Sequence, residues 1–317
     1  MAETETQLSS RAVIGMFYDR LANASGMGWI DATSMLFQSD QESEHYAWLG
    51  MAPQMREWIG GRQAKGFREN GIDVKNVEYE ATVDIPTRWL RRDKTGQIQV
   101  RINDLADRTN SHWASLLSTL ISNGEATAAY DGQFFFDTDH VEGDSGSQSN
   151  DLSIDISALP AELHGTTTVP SSEELQQVVA QSIQAMLGFK DDQGEPINEG
   201  ASSFMVMVPV PLWLPASTAL MAPVLAHGQT NILQSMSGIS LSLAANPRLT
   251  WTDKIAVFRT DGAVKPFIRQ EEVPVEVGAK AEGSEYEFDN KAHQYGVFAS
   301  RNVAYGYWQH AVLATMV

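Results

Sequence analysis

From Val77 to Ile85 the chain alternates without a break. Val77, Tyr79, Ala81, Val83 and Ile85 are apolar, with Glu78, Glu80, Thr82 and Asp84 between them. A period of two puts one set on each face of a strand, so this strand, read as 74–85, is dry on one side and wet on the other. Pro86 ends it. Ile98, Val100 and Ile102 repeat the alternation, and Lys94-Thr95-Gly96 is turn-like. The spacing therefore predicts a β-hairpin with a long tip from Pro86 to Gly96. A helix follows over 103–124. Trp113, Leu116, Leu117, Leu120 and Ile121 fall on one face, Asn103 suits the N-cap, Asp104 the positive helix start and Gly124 the stop.

The hairpin tip carries Arg88, Arg91, Arg92 and Lys94 around Trp89 and Leu90. An isolated two-stranded hairpin is marginal in water, so a protruding one needs a partner surface. The chain has 22 basic and 40 acidic residues, a formal net charge of −18. A basic tip on so acidic a protein points to another copy of the same chain as the partner. The alternative is a solvated charged turn. The same acidity disfavours sequence-specific nucleic-acid binding, whose affinity comes largely from Lys and Arg against phosphate.

Before this region, Ala12-Val13-Ile14, Met16-Phe17 and Leu21 predict one short N-terminal helix. Such a helix is unstable alone and must dock on this chain or another. A helix-like run is expected to begin near Asp40. Downstream, Leu152, Ile154 and Ile156 mark one short strand in a polar loop. Ser171-Ser172-Glu173-Glu174 reads as a capping box opening a helix to Gly188. Phe204 to Val208 reads as a buried strand, and Pro215 opens a helix that Pro223 shortens. Ile255 to Phe258 and Val264 to Ile268 are expected to pair through Asp261-Gly262. Gln294 to Val303 and Tyr305 to Val312 read as apolar return strands. With 317 residues, the chain exceeds what one hydrophobic core comfortably serves.

Chemistry-bearing motifs are sparse. There are no cysteines, which excludes disulfides, thiolate metal sites and cysteine nucleophiles. Asp131, Asp137, Asp139 and His140 supply hard and borderline ligand atoms within ten residues, but their spacing matches no established metal motif. The competing reading is a turn at Asp131-Gly132 with local backbone caps. Gly143-Asp144-Ser145-Gly146 copies a serine-protease tetrapeptide without a matching His and Asp order. Met1 to Ser10 lacks the pattern of a signal peptide. The longest apolar run, Phe204 to Leu214, is far short of the roughly 20 residues that span a bilayer. No membrane partner is expected.

One resemblance organises these pieces. Tyr46, Trp48-Leu49-Gly50, Pro53, Arg56-Glu57-Trp58, Gly61-Arg62, Asn76, Glu80, a helix, then Asp131-Gly132, Phe136 and Asp137-Thr138-Asp139-His140 follow one another in order. The order resembles the major head (capsid) subunit of Mu-like tailed bacteriophages over about a hundred residues. Gly61 departs from it, where Glu is expected, and so does the Gly/Ser tract after His140, where Pro is expected. The resemblance implies an α+β tailed-phage major capsid fold of the Hong-Kong-phage type. Its parts would be an N-terminal arm (1–65), an extended hairpin loop (66–102), a peripheral domain with a long spine helix (103–199), an axial domain (200–288) and return strands (289–317). It implies a structural protein rather than an enzyme, without cofactors, building an icosahedral shell around double-stranded DNA. Its partners would be copies of itself in pentamers and hexamers, a scaffold and protease, a portal and a decoration protein. Assembly is expected in the host bacterial cytoplasm, and the final location is the virion. Arg88, Trp89, Arg91, Arg92 and Lys94 are the candidate contacts between subunits. The alternatives are a soluble α/β metal-dependent enzyme built on Asp137 to His140, and a tail or baseplate structural protein.

Overall fold

A computed structural model describes residues 10–23, 27–47, 71–92, 96–225, 228 and 230–317. Two helices open it, α1 (Ser10–Ala22) and α2 (Gly28–Thr33), followed by strands β1 (Ser34–Gln38), β2 (Ser43–Ala47), β3 (Gly71–Lys75) and β4 (Val77–Pro86). The short helix α3 (Thr87–Arg92) leads into the long helix α4 (Gln97–Ser122), and then come β5 (His140–Val141), β6 (Ser147–Gln148) and β7 (Asp151–Ile154). Next are α5 (Ser172–Leu187), β8 (Ser203–Val208), α6 (Trp213–Met221), α7 (Ile232–Ser235), β9 (Ser240–Ala245) and β10 (Lys254–Arg259). The chain ends with β11 (Phe267–Lys280), α8 (Glu285–Asn290), β12 (Ala292–Tyr305) and β13 (Ala311–Met316).

Two main sheets result. One has the order β1-β11-β12-β4, the other β7-β13-β10-β8-β9. The five-stranded sheet holds the larger core: Phe204, Val206, Val257, Phe258, Val312 and Leu313 are buried on its two faces, and α5 and α6 pack against it. The four-stranded sheet buries Ile85, Tyr295 and Val297 against Ile98, Ile102 and Ala106 of α4 and Val13 and Phe17 of α1. The N-terminal helix thus docks on its own chain, and Arg20 forks onto Asp107 of α4 with two 2.8 Å contacts.

α4 links the two cores. Its first turns face the smaller one, while Leu117 and Ile121 enter the larger. At 26 residues it runs about 39 Å. Between the cores, the Trp113 ring lies under the guanidinium of Arg301 at 4.7 Å and of Arg269 at 5.6 Å, tying the helix to β12 and β11.

Several expectations are corrected. Residues 98–102 are helical, so the hairpin of 74–85 with 98–102 does not form, and the boundary expected at 102 falls inside α4. Ile98 and Ile102 are spaced four apart and buried, while Val100 between them is 66% exposed, which is helical order read at period two. The strand partner of β4 is β12, some two hundred residues away. Residues 74–85 are also two strands. Asn76 divides them, its buried amide donating to Ser39 Oγ and the Gln41 carbonyl while its oxygen accepts from Gln270. The helix-like run near Asp40 is instead β2, paired antiparallel with β3; Trp48 to Arg62 lie outside the described residues. Asp261-Gly262 closes no hairpin. β10 pairs with β8 and β13, and the Asp261 carboxylate is occupied by Arg259 and the Ser202 N–H. The capping box at Ser171 and Glu174 is present as read.

Candidate assembly surfaces

The basic tip folds as α3 rather than as a turn. Its position is fixed at the base, where the Thr87 N–H and hydroxyl both donate to the Lys291 carbonyl at 2.9 and 3.0 Å. Leu90 is buried beneath it. The rest faces outward: Arg88 and Arg91 are exposed, and Trp89 is 51% exposed with the Arg88 guanidinium 6.0 Å from its ring. Lys94 and the side chain of Arg92 lie outside the described residues. Three of the five candidate contact residues therefore share one outward-facing helix.

Beside α3 stands α8, which the sequence reading missed. The signal was available: Ser284 and Glu287 have the capping-box spacing, and the Ser284 hydroxyl accepts from the Glu287 N–H. Glu287 in turn accepts from Gly283 N–H and lies 3.0 Å from Nε2 of the buried His293, which holds its carboxyl below the usual range. Glu285, Phe288 and Asp289 project into solvent.

A second surface is apolar. Val210, Trp213, Leu214 and Met221, from the segment leading into and along α6, are each between 48% and 67% exposed, and Val224 and Ile232 follow in the neighbouring elements. Contiguous apolar patches of this kind are found at interaction sites.

The Asp131-to-His140 cluster does not assemble as a metal centre. His140 is fully buried, its Nδ1 2.6 Å from Asp131 and its Nε2 3.2 Å from Asn150 Oδ1, and its ring stacks on Trp308 at 3.9 Å. Asn150 donates to the carbonyls of Phe135 and Trp308, which turns its oxygen toward the imidazole. Both ring nitrogens are thus engaged. Burial alone would raise the Asp137 carboxyl, but N–H bonds from Thr138 and Phe134 outweigh it and hold it low. These residues latch the loop onto Trp308. Ser145 bonds only locally, to Glu142 N–H and the Gly146 carbonyl. The open groove of about 710 Å³ between β7 and α5 has Asp151 as its one charged lining residue. Among the described residues no three His, Asp or Glu side chains converge as a metal site needs.

The sequence matches the model of the family described as Mu-like prophage major head subunit gpT over residues 11–158 and 243–316. The chain belongs to this family. The second matched segment extends the kinship well beyond the hundred residues around the long helix. Relatives include the Mu-like prophage FluMu major head subunit of Haemophilus influenzae, 29% identical over 192 residues, covering 58% of this chain and 62% of that protein. The major capsid protein of Escherichia phage Mu is 29% identical over 107 residues, 34% of this chain and 35% of the other. These matches span less than two thirds of either relative. The procapsid protein of bacteriophage JBD30 superposes with a TM-score of 0.51 at 21% identity, over 96% of this chain and 73% of the other. The capsid protein of cyanophage P-SCSP1u gives 0.54 at 9% identity, over 91% and 88%. The fold is therefore the tailed-phage capsid fold. The family is one of head subunits, not enzymes, and neither the metal-enzyme reading nor the tail or baseplate reading finds support in it.

Proposed function

We propose that this chain is the repeating subunit of an icosahedral phage head, and that its activity is the formation of interfaces with copies of itself. The family match across both ends of the chain carries this reading. Two features of the molecule support it: the outward-facing Arg88, Trp89 and Arg91 of α3, and the apolar surface along α6. Residues 200–288 would sit at the symmetry axes and close five- and six-membered rings. Such rings need two different patches on each copy to match. Arg92 and Lys94 belong to the same basic stretch and would join its contacts.

The formal charge of −18 suits a lumen that packaged double-stranded DNA does not adhere to, held without sequence specificity. A scaffold, a maturation protease, a portal and a decoration protein complete the proposed partners, and assembly would take place in the host cytoplasm. The test is negative-stain electron microscopy of the chain expressed alone and with a candidate scaffold. Shells, or rings of five and six, are the expected result. A uniform monomer under both conditions would overturn the reading.

A further inference from the structure

The helices α3 and α8 lie at the same end of the four-stranded sheet, because Pro86 at the end of β4 pairs with Ala292 at the start of β12. The Thr87-to-Lys291 bonds join the first residue of one helix to the residue that closes the other. Their charges are opposite. α3 carries Arg88, Arg91 and Arg92 and no acid; α8 carries Glu285, Glu287 and Asp289 and no base. Yet no ion pair joins the two among the described residues, and Arg88, Arg91, Glu285 and Asp289 make none elsewhere among them.

Each helix is also anchored from below while presenting an aromatic ring outward. Leu90 is buried under α3, and Trp89 faces out. Tyr286 donates to Asp84 and Glu287 holds His293, leaving Phe288 86% exposed, the highest value among the described large apolar side chains. Two knobs of opposite charge therefore stand at one end of the sheet, each topped by an exposed ring, with no ion pair between them among the described residues.

We infer that this bipolar tip is a contact between copies, in which α3 of one chain meets α8 of the next. The inference rests on the shell-subunit reading and names a surface within it. A single patch of one sign would repel its own copy. A patch holding both signs side by side is complementary to itself when two tips are offset, so each copy can give a basic helix to one neighbour and an acidic helix to another. The rings of Trp89 and Phe288 would be covered at the same contact, which supplies the apolar burial that exposed ion pairs alone lack.

Charge exchange tests it. R88E with R91E makes both helices acidic, and Glu285→Lys with Asp289→Lys makes both basic. Each pair is expected to cut shell yield at least tenfold, with circular dichroism and thermal melting of the soluble subunit unchanged. All four substitutions together swap the signs and should restore assembly. Shells from either two-site variant at the unaltered yield would overturn the contact, as would failure of the four-site variant to assemble despite an unchanged melt.

A second measurement does not depend on shells. The chain has no cysteines, so mixing a W89C chain with an F288C chain under mild oxidation should give a disulfide-linked dimer, and each alone should give far less. Absence of the mixed dimer when the unaltered chain forms shells rejects the tip contact and leaves the shell reading standing. If the unaltered chain makes neither shells nor rings, the shell reading falls, while a mixed dimer would still report the contact.

Discussion

His310 is 4% exposed and neither ring nitrogen has a hydrogen-bond partner, the Val264 backbone approaching without bonding geometry. Burial lowers its pKa to about 4, and the nearby guanidinium of Arg259 and amine of Lys265 push the same way, only partly opposed by the Val264 backbone and Asp261. The unfolded chain binds this proton near pH 6.5 and the folded chain only near 4. The neutral ring's contribution, about 3 kcal/mol, is therefore complete above pH 6.5 and is lost as pH falls toward 4. The subunit is expected to lose about 2 kcal/mol from this site between pH 7 and pH 5. His310→Phe should keep the fold and flatten that part of the profile, read as urea midpoints at the two pH values. His112 also has a pKa lowered to about 4, by burial and then by Arg301 and Arg248, and its slope should persist in the variant. Equal pH dependence in both proteins would show that His310 is not the responsible group. His140 shows the opposite solution for a buried imidazole, with an acceptor at each nitrogen.

At the scale of elements, much was legible where period and chain order agreed. The stripe from Trp113 to Ile121, the buried run Phe204 to Val208 and the Ser171 capping box all form as the residues require. The failures share a cause. Ile98, Val100 and Ile102 fit both a strand and a helix, and what decides is Val13, Phe17 and Tyr295 covering one side of them, from segments remote in sequence. The Asp261-Gly262 signal was overridden because β10 already has partners on both edges. The basic tip was visible as charge and α8 carried a readable cap, but their nearness was hidden, since only the pairing of β4 with β12 brings them together. Gly124 was expected as a helix stop, and its deeper constraint is a neighbour. A Cβ there would lie 2.4 Å from the Phe136 ring, which is itself buried. Gly124→Ala should therefore destabilise the subunit by about 1–3 kcal/mol, because the ring has nowhere to retreat. Phe136→Leu in the same chain should recover part of the loss, and a thermal melt of the two variants checks both statements.

The described residues form two main cores joined by shared elements, with a small third cluster of Val74, Ile268 and Ala304. α4, β11 and β12 enter both, while the two sheets share no strand. The cores are unequal. The five-stranded sheet is covered by α5 and α6 and contains many fully buried side chains, whereas the other end is held by a few residues of α1, β4, α4 and β12 and by exposed ion pairs such as Arg20 with Asp107. Exposed pairs contribute little against solvent screening, so the smaller core is the one expected to open first. Local opening follows apolar burial, and amide exchange reports it region by region. In the soluble subunit, backbone amides of 77–86 and 292–299 should exchange at least tenfold faster than those of 254–259 and 311–316. The bipolar tip lies at this weaker end. If neighbouring copies clamp it, assembly should slow exchange in 77–86 and 292–299 and leave the five-stranded sheet nearly unchanged. Protection confined instead to α6 and its surroundings would place the main stabilising contact on the apolar surface, and the weaker end would stay open within the shell.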